Sequence, residues 1–402
     1  MSTSTPTVEA EAMPRSPREF LARFTQGEFG SLRVLITLAV IWIIFAIAND
    51  RFLTAINLTN LTLQIAGIGL ISVGVVLVLL LGEIDLSVGI VSGLCAAIMA
   101  VLNVKHGWPA VPAIAAGLVA GILIGAFQGF VHTRFGIPSF VVTLAGLLGW
   151  QGVLLWVLGD TGTINLTAPL IVDLAGTFFS DVVGWIIAVA LIVAYAAIAL
   201  SGRIGRVRAG LEAPPVGAIV FRIVLVAVPV LVTVWIVNQD RGLPLALVIL
   251  VGFVIAFDYL TRRTRFGRHI YAVGGNEEAA RRAGINTAAV RTVVFSLASL
   301  MAACGGIMLA SRLLAVNQSS GGSDLLLLAI AGPVIAGTSL FGGRGTVWSA
   351  LLGALVIGSI SNGMDLLALS SDVKFMVTGA VLLLAVIVDS LTSSRRRRAG
   401  RV

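Results

Sequence analysis

The chain has 402 residues, of which 58% are hydrophobic and only 11% charged, and its mean hydropathy is +1.03. A water-soluble domain carries about 25% charged residues, so a soluble globule is excluded and lipid must be part of the solvent. The net charge of +8 lies in short basic runs between apolar segments, which argues for a membrane orientation signal and against a nucleic-acid surface.

The polar stretch 1–32, with Arg15, Arg18 and Arg23, reads as a cytoplasmic tail, with no cleavage site after the first apolar run. Runs approaching the roughly 20 residues that cross a bilayer follow at 33–49, 61–81, 84–102, 110–133, 138–158 and 183–200. Further runs occupy 216–237, 243–260, 292–314, 325–341, 346–362 and 373–391. Between them, 160–181 holds Asp160, Asn165, Pro169, Asp173 and Asp181 and is too polar to span; it reads as an external loop with a short interfacial helix. Pro333 and its flanking glycines leave 325–341 open as a span or a re-entrant segment. The expected fold is an all-α polytopic membrane protein with a transmembrane domain over 33–391, about twelve spans (ten to twelve), and a basic tail at 392–402. With the N-terminus inside, only Arg51, Lys105, Arg241, Arg312 and Lys374 of the 27 Lys and Arg fall outside, which puts both termini in the cytoplasm.

Polar groups at membrane depth need a reason. GEIDLSVG at 82–89 sets Glu83 and Asp85 between two apolar runs with almost no room for a loop. This reads as a broken helix whose polar turn borders a water-filled pathway, as a tight cytoplasmic turn in which Asp85 or Ser87 caps the next helix, or as both at once. IPSFVVTLAG at 137–146 opens a span with Pro138 near its first turn. Ser139 and Thr143 share a face there, placed to bond a neighbouring helix or to touch a polar solute. Gln64, Gln128 and Gln151 pose the same choice. Glu83, Asp85, Ser87, Ser139, Thr143 and Asn362 are the candidate pathway residues.

FGRHIYAVGGNEEAARRAGI at 266–285 lies in the cytoplasmic connection 261–291. Gly274 and Gly275 break the chain, Asn276 is a good N-cap, and Glu277 and Glu278 favour the positive helix start. Arg281 and Arg282 follow four residues later, and Gly284 supplies a stop. The pattern predicts a two-turn helix near 276–283 with small Ala279, Ala280 and Ala283 along one side. A helix so short is unstable alone, which points to docking on another protein. Farther on, Gly342–Gly345 form a flexible turn, and Gly353, Ile357 and Gly358 keep one helix face thin for packing.

No phosphate loop, HExxH or GxSxG motif occurs. Cys95 and Cys304 lie in apolar runs as small hydrophobes, and His106, His132 and His269 are scattered, so no catalytic or metal site is expected. A docking helix on a membrane body without an ATP site places the ATPase on a separate chain.

Four blocks carry a resemblance: 82–89, 137–146, 266–285, and AGTSLFGGRGTVWSALLGALVIGSISNGMDLL at 336–367. In this order, across roughly 60–390, the chain resembles the permease subunits of bacterial ATP-binding-cassette importers for monosaccharides, the ribose, xylose and galactose group. The resemblance implies that 274–285 is the coupling segment seated in the ATPase, with Gly275, Glu277, Ala280 and Gly284 at matching positions. It also implies a permease homodimer in the bacterial inner membrane, ATP and magnesium held by the ATPase, and an extracytoplasmic sugar-binding protein. The extra stretch 201–245 and Glu83 are similar to the longer xylose-type permeases, so D-xylose is the expected cargo. The alternative is an ion-coupled secondary transporter of a small neutral solute, for which Glu83, Asp85 and Asp258 are the candidate titratable groups.

Overall fold

A computed structural model describes residues 30–381, together with 383 and 387. The N-terminal tail with Arg15, Arg18 and Arg23, the end of the 373–391 run and the basic tail 392–402 lie outside the described residues. Helices dominate, as the long apolar runs require when backbone groups must be satisfied in lipid. In chain order they are α1 (Gly30–Ala48), α2 (Ala55–Leu80), α3 (Val88–Ala100, widened through Val101–Lys105), α4 (Ala110–Phe135) and α5 (Ser139–Leu158). Then come α6 (Pro169–Gly176), α7 (Asp181–Arg208), α8 (Val216–Val237), α9 (Leu245–Arg263), α10 (Arg265–Gly275) and α11 (Glu277–Arg282). Last are α12 (Thr287–Leu313), α13 (Ser323–Ile335) and α14 (Trp348–Leu366), and 371–381 is helical again.

Among the described residues nine helices are long and apolar enough to cross a membrane: α2, α3, α4, α5, α7, α8, α9, α12 and α14. Each coincides with one of the twelve apolar runs. The first run is the apolar part of α1, Val34–Ala48. The 325–341 run condenses into α13, whose 13 residues extend about 20 Å at 1.5 Å per residue, short of the hydrocarbon core. The 160–181 stretch is a connection between spans, stitched by two tiny sheets. β1 (Thr163–Asn165) pairs with β4 (Ala315–Asn317), and β2 (Phe178–Phe179) with β3 (Leu243–Pro244). Its short helix, α6, docks on α12 through Ser311, whose Oγ accepts from Ala175 N at 3.0 Å and donates to Val172 O at 3.0 Å.

The centre of the bundle is α2 and α12, packed on each other and on α3, α4 and α14. α2 is almost wholly buried. At the edge, α7 and α8 pair chiefly with one another around Ala188, Val234, Val237 and Leu243. Leu148, Trp156, Val182, Ile198 and Phe221 stay exposed, the pattern of a surface that faces lipid.

One sequence signal for this packing is the four-residue spacing of Gly117, Gly121, Gly125 and Gly129 on α4. A methyl on Gly121 would lie 2.7 Å from Ser299 O, and one on Gly129 2.7 Å from Thr292 Cα, so the two backbones touch. Gly121→Ala is expected to cost about 1–3 kcal/mol by overpacking and to lower the melting temperature of the detergent-solubilised chain. An unchanged melting temperature would count against this seam. The 353–358 seam is internal too: Gly353 presses on Gly332 of α13, and Gly358 on Ile65 of α2.

Candidate coupling site and polar cavity

Three connections meet at one end of the bundle: the turn after α2, the end of α10, and the 336–346 loop. Gly343 N donates to Leu80 O at 2.9 Å, and Tyr271 Oη to Gly345 O at 3.0 Å. A methyl on Gly274 would collide with Leu80 O and sit 2.9 Å from Gly343 N, whereas Gly275 faces open space. Gly342, at φ +83°, comes within 2.8 Å of Gly82 N when given a Cβ. Glycine is required here by the crossing of backbones, and at Gly342 also by its left-handed φ.

α10 continues through both Gly274 and Gly275, and the chain breaks at Asn276, where φ is −160° and ψ 101°. Asn276 Oδ1 then accepts from Ala279 N at 2.9 Å and caps α11. Arg281 bonds Glu277 at 3.0 Å, Arg282 bonds Glu278, and Gly284 ends the helix at φ +83°. Ala280 turns inward and is buried in the chain's own core, while Glu278, Ala279, Arg282, Ala283 and Gly284 are exposed.

Glu277 reaches back as well as along its helix. Arg291, one turn into α12, donates through both terminal nitrogens to Glu277 at 2.7 and 2.8 Å, and lies 3.0 Å from Glu83 Oε1. His132 of α4 lies 3.4 Å from the same oxygen. The guanidinium therefore ties the protruding α11 to the turn between α2 and α3. Burial works to raise the Glu277 pKa, but the hydrogen bonds and charge of Arg291, then Arg281, hold it below its ordinary 4.5. A cleft of ≈ 500 Å³ opens beside this network, lined by His132, Ile137, Glu277, Arg281, Asn286 and Arg291.

The 82–87 turn is non-helical, and its amides find partners on α5. Ile84 N donates to Ser139 Oγ at 3.3 Å, and Leu86 N to Thr143 Oγ1 at 3.0 Å. Asp85 Oδ1 accepts from Ser87 N at 2.8 Å and Ser87 Oγ at 2.7 Å, and Gln128 Nε2 donates to Ser87 Oγ at 2.9 Å. Asp85, Ser87, Ser139 and Thr143 are all buried. The structure thus brings together five of the six sequence-picked pathway residues, Glu83 among them, as a hydrogen-bonded joint at the α11 end. Asn362 stands apart, exchanging amide hydrogen bonds of 2.8 and 3.0 Å with Asn57 across the α2–α14 contact.

The other half of the bundle holds a second cavity, of ≈ 380 Å³, between α2, α3, α12, α13 and α14. Its polar lining includes Gln64, Ser92, Asn317, Ser320, Ser361 and Asp365. The backbone of 319–322, between β4 and α13, leaves helical form and runs down its wall. There Gly321, at φ +79°, sits against Gly89 and Gly93 of α3. Gln64 is the one glutamine of the three that lines this cavity; Gln128 serves the buried joint, and Gln151 bonds Gln318 O at 3.4 Å.

The chain that builds this body of packed spans, internal polar cavity and tethered helix is similar in sequence to known proteins. A model of the family described as "Branched-chain amino acid transport system / permease component" matches residues 57–386. The chain belongs to this permease family. It is 37% identical to the xylose transport system permease protein XylH of Escherichia coli (strain K12) over 384 residues, 93% of this chain and 97% of that protein. The XylH protein of Haemophilus influenzae (strain ATCC 51907 / DSM 11121 / KW20 / Rd) is 35% identical over 90% of this chain and 96% of its own. The ribose import permease protein RbsC of Escherichia coli (strain K12) is 33% identical over 91% and 96%. No solved structure matches the chain. The permease is a multi-pass membrane transport protein, and among the described residues no group of three or more His, Cys, Asp or Glu is placed to hold a metal ion.

Sequence reading did not single out Arg291 or His132 as partners of Glu83. The available signal was charge economy: Arg291 stands near the start of an apolar helix, and a cation there requires a nearby acid. Asn317, Ser320 and Ser361 were also missed, because serine and asparagine at loop–helix borders look like ordinary capping residues.

Proposed function

We propose that this permease is the membrane subunit of an ATP-binding-cassette importer that carries D-xylose across the bacterial inner membrane. Two copies pair in the bilayer; a separate ATPase holds ATP and magnesium and seats against α11, and an extracytoplasmic binding protein delivers the sugar. The end carrying α11 faces the cytoplasm, along with both termini. The observation that carries the reading is the capped α11 with its outward face free and its Glu277 fastened through Arg291 to Glu83. A pull on α11 from outside the chain is thereby delivered to the start of α3. Similarity to XylH along 97% of that protein supports xylose over ribose, and the sugar-named relatives support a sugar over the amino acids of the family's description.

The test is uptake by proteoliposomes holding the permease, its ATPase and its binding protein, offered labelled D-xylose, D-ribose or leucine. Uptake of D-xylose that requires ATP and survives an ionophore is expected. Uptake that proceeds without the ATPase and collapses with the ionophore would establish the ion-coupled alternative instead.

A further inference from the structure

We infer that the ≈ 380 Å³ cavity between α2, α3, α12, α13 and α14 is the sugar-contact site within the membrane, with the Gln64 amide as its hydroxyl-reading group. This deepens the sugar-importer reading and rests on it. The cavity is in the size range of small-molecule sites, about 300–1,000 Å³. Gln64 Oε1 is buried without a hydrogen-bond partner, although unpaired buried acceptors are costly. A ligand hydroxyl donating to it removes that cost. Around it stand the hydroxyls of Ser320 and Ser361 and the amide of Asn317, a mixed donor and acceptor set suited to a polyhydroxylated neutral solute.

The backbone supports the same assignment. Non-helical chain at membrane depth is tolerated where it is buried in protein or lines a water-filled cavity, and 319–322 lines this one. Three charged residues stand on the wall, Arg312, Asp324 and Asp365. Asp365 is paired with Lys374 at 2.5 Å. A zwitterionic amino acid would have to compete with that pair, whereas a neutral sugar leaves it intact. Among the described lining residues none is aromatic, so the site lacks the stacking platform of a tight sugar-binding protein. Weak contact through amides and hydroxyls suits a station the solute must leave.

Two measurements test the assignment in the full complex of permease, ATPase and binding protein. Gln64→Leu, which keeps the side-chain size, and Ser361→Trp, which fills the cavity, are each expected to cut D-xylose uptake at least about tenfold while the complex still assembles, a barrier change of about 1.4 kcal/mol. In the second measurement, Ser361→Cys in a Cys304→Ala background, which leaves only the buried Cys95, is labelled by a membrane-impermeant thiol reagent, with the Cys304→Ala chain as the control. Millimolar D-xylose is expected to slow that labelling, and leucine to leave it unchanged. Wild-type uptake that persists undiminished in both Gln64→Leu and Ser361→Trp, or labelling indifferent to the sugar, overturns the site and leaves the importer reading standing. A wild-type complex that moves neither D-xylose nor D-ribose overturns the sugar reading itself, and the ligand class with it.

Discussion

Arg291→Met is expected to uncouple the permease: D-xylose uptake falls steeply while the chain still inserts and purifies. The substitution removes the cation shared by Glu277 and Glu83 and leaves the two carboxylates with less compensation. Breaking a fully buried ion pair costs about 3–5 kcal/mol. Here the Glu277 side chain is 32% exposed, against 17% for Arg291, so the discounted cost is roughly 2 kcal/mol. That is about a 30-fold loss of bias toward the tethered position of α11. Arg291→Lys keeps the charge but gives up the two-pronged grip, and should fall between the two. Hydrogen exchange at the α11 amides would read the effect directly; exchange as slow in Arg291→Met as in the wild type would sink the tether. The pH dependence has a definite sign. Because the Glu277 pKa is held below 4.5 in the folded chain, its contribution is complete above that value and disappears as pH falls through the lowered one. Between about pH 5 and 8 the tether should not vary on account of this carboxylate.

The second large effect separates two adjacent glycines. Gly274→Ala places a methyl into Leu80 O and against Gly343 N, atoms of backbone that have no flexible end to yield. It should lower the melting temperature of the isolated permease, by the same overpacking cost of about 1–3 kcal/mol, and abolish uptake by prying the three connections apart. Gly275→Ala meets nothing within the chain. It should leave the isolated permease as stable as the wild type, and any defect should appear only as weaker capture of the ATPase. Equal stability losses in the two variants would refute the crossing described here; a Gly275→Ala chain that captures ATPase and takes up sugar normally would remove Gly275 from the docking face.

Much of α11 was legible in the sequence because every signal in it is local. The Asn276 cap, the Glu277–Arg281 and Glu278–Arg282 pairs and the Gly284 stop all act within a few residues, and each takes the predicted geometry. The nine long helices were legible because length and apolarity suffice to identify them. What pattern alone could not supply was long-range. Nothing in 137–146 says that Ser139 and Thr143 face the amides of Ile84 and Leu86, since hydroxyls four apart suit any polar neighbour. Gly274 and Gly275 were expected to break the chain, yet α10, a helix the sequence reading did not include, runs through both and the break falls at Asn276. The inward turn of Ala280 likewise depends on apolar partners far along the chain, beyond the local window.

The burial of α2 bears on how the polypeptide is assembled. α2 is as apolar as the lipid-facing α7 and α8, yet in the finished bundle it touches almost no lipid. Its main neighbour, α12, begins only at Thr287, so at synthesis rates of about 5–20 residues per second it is made on the order of 10–40 s later. During that interval α2 must wait in the bilayer, and its uniformly oily surface is what lets it do so. Helix insertion and helix association are thus separated in time within one nascent chain.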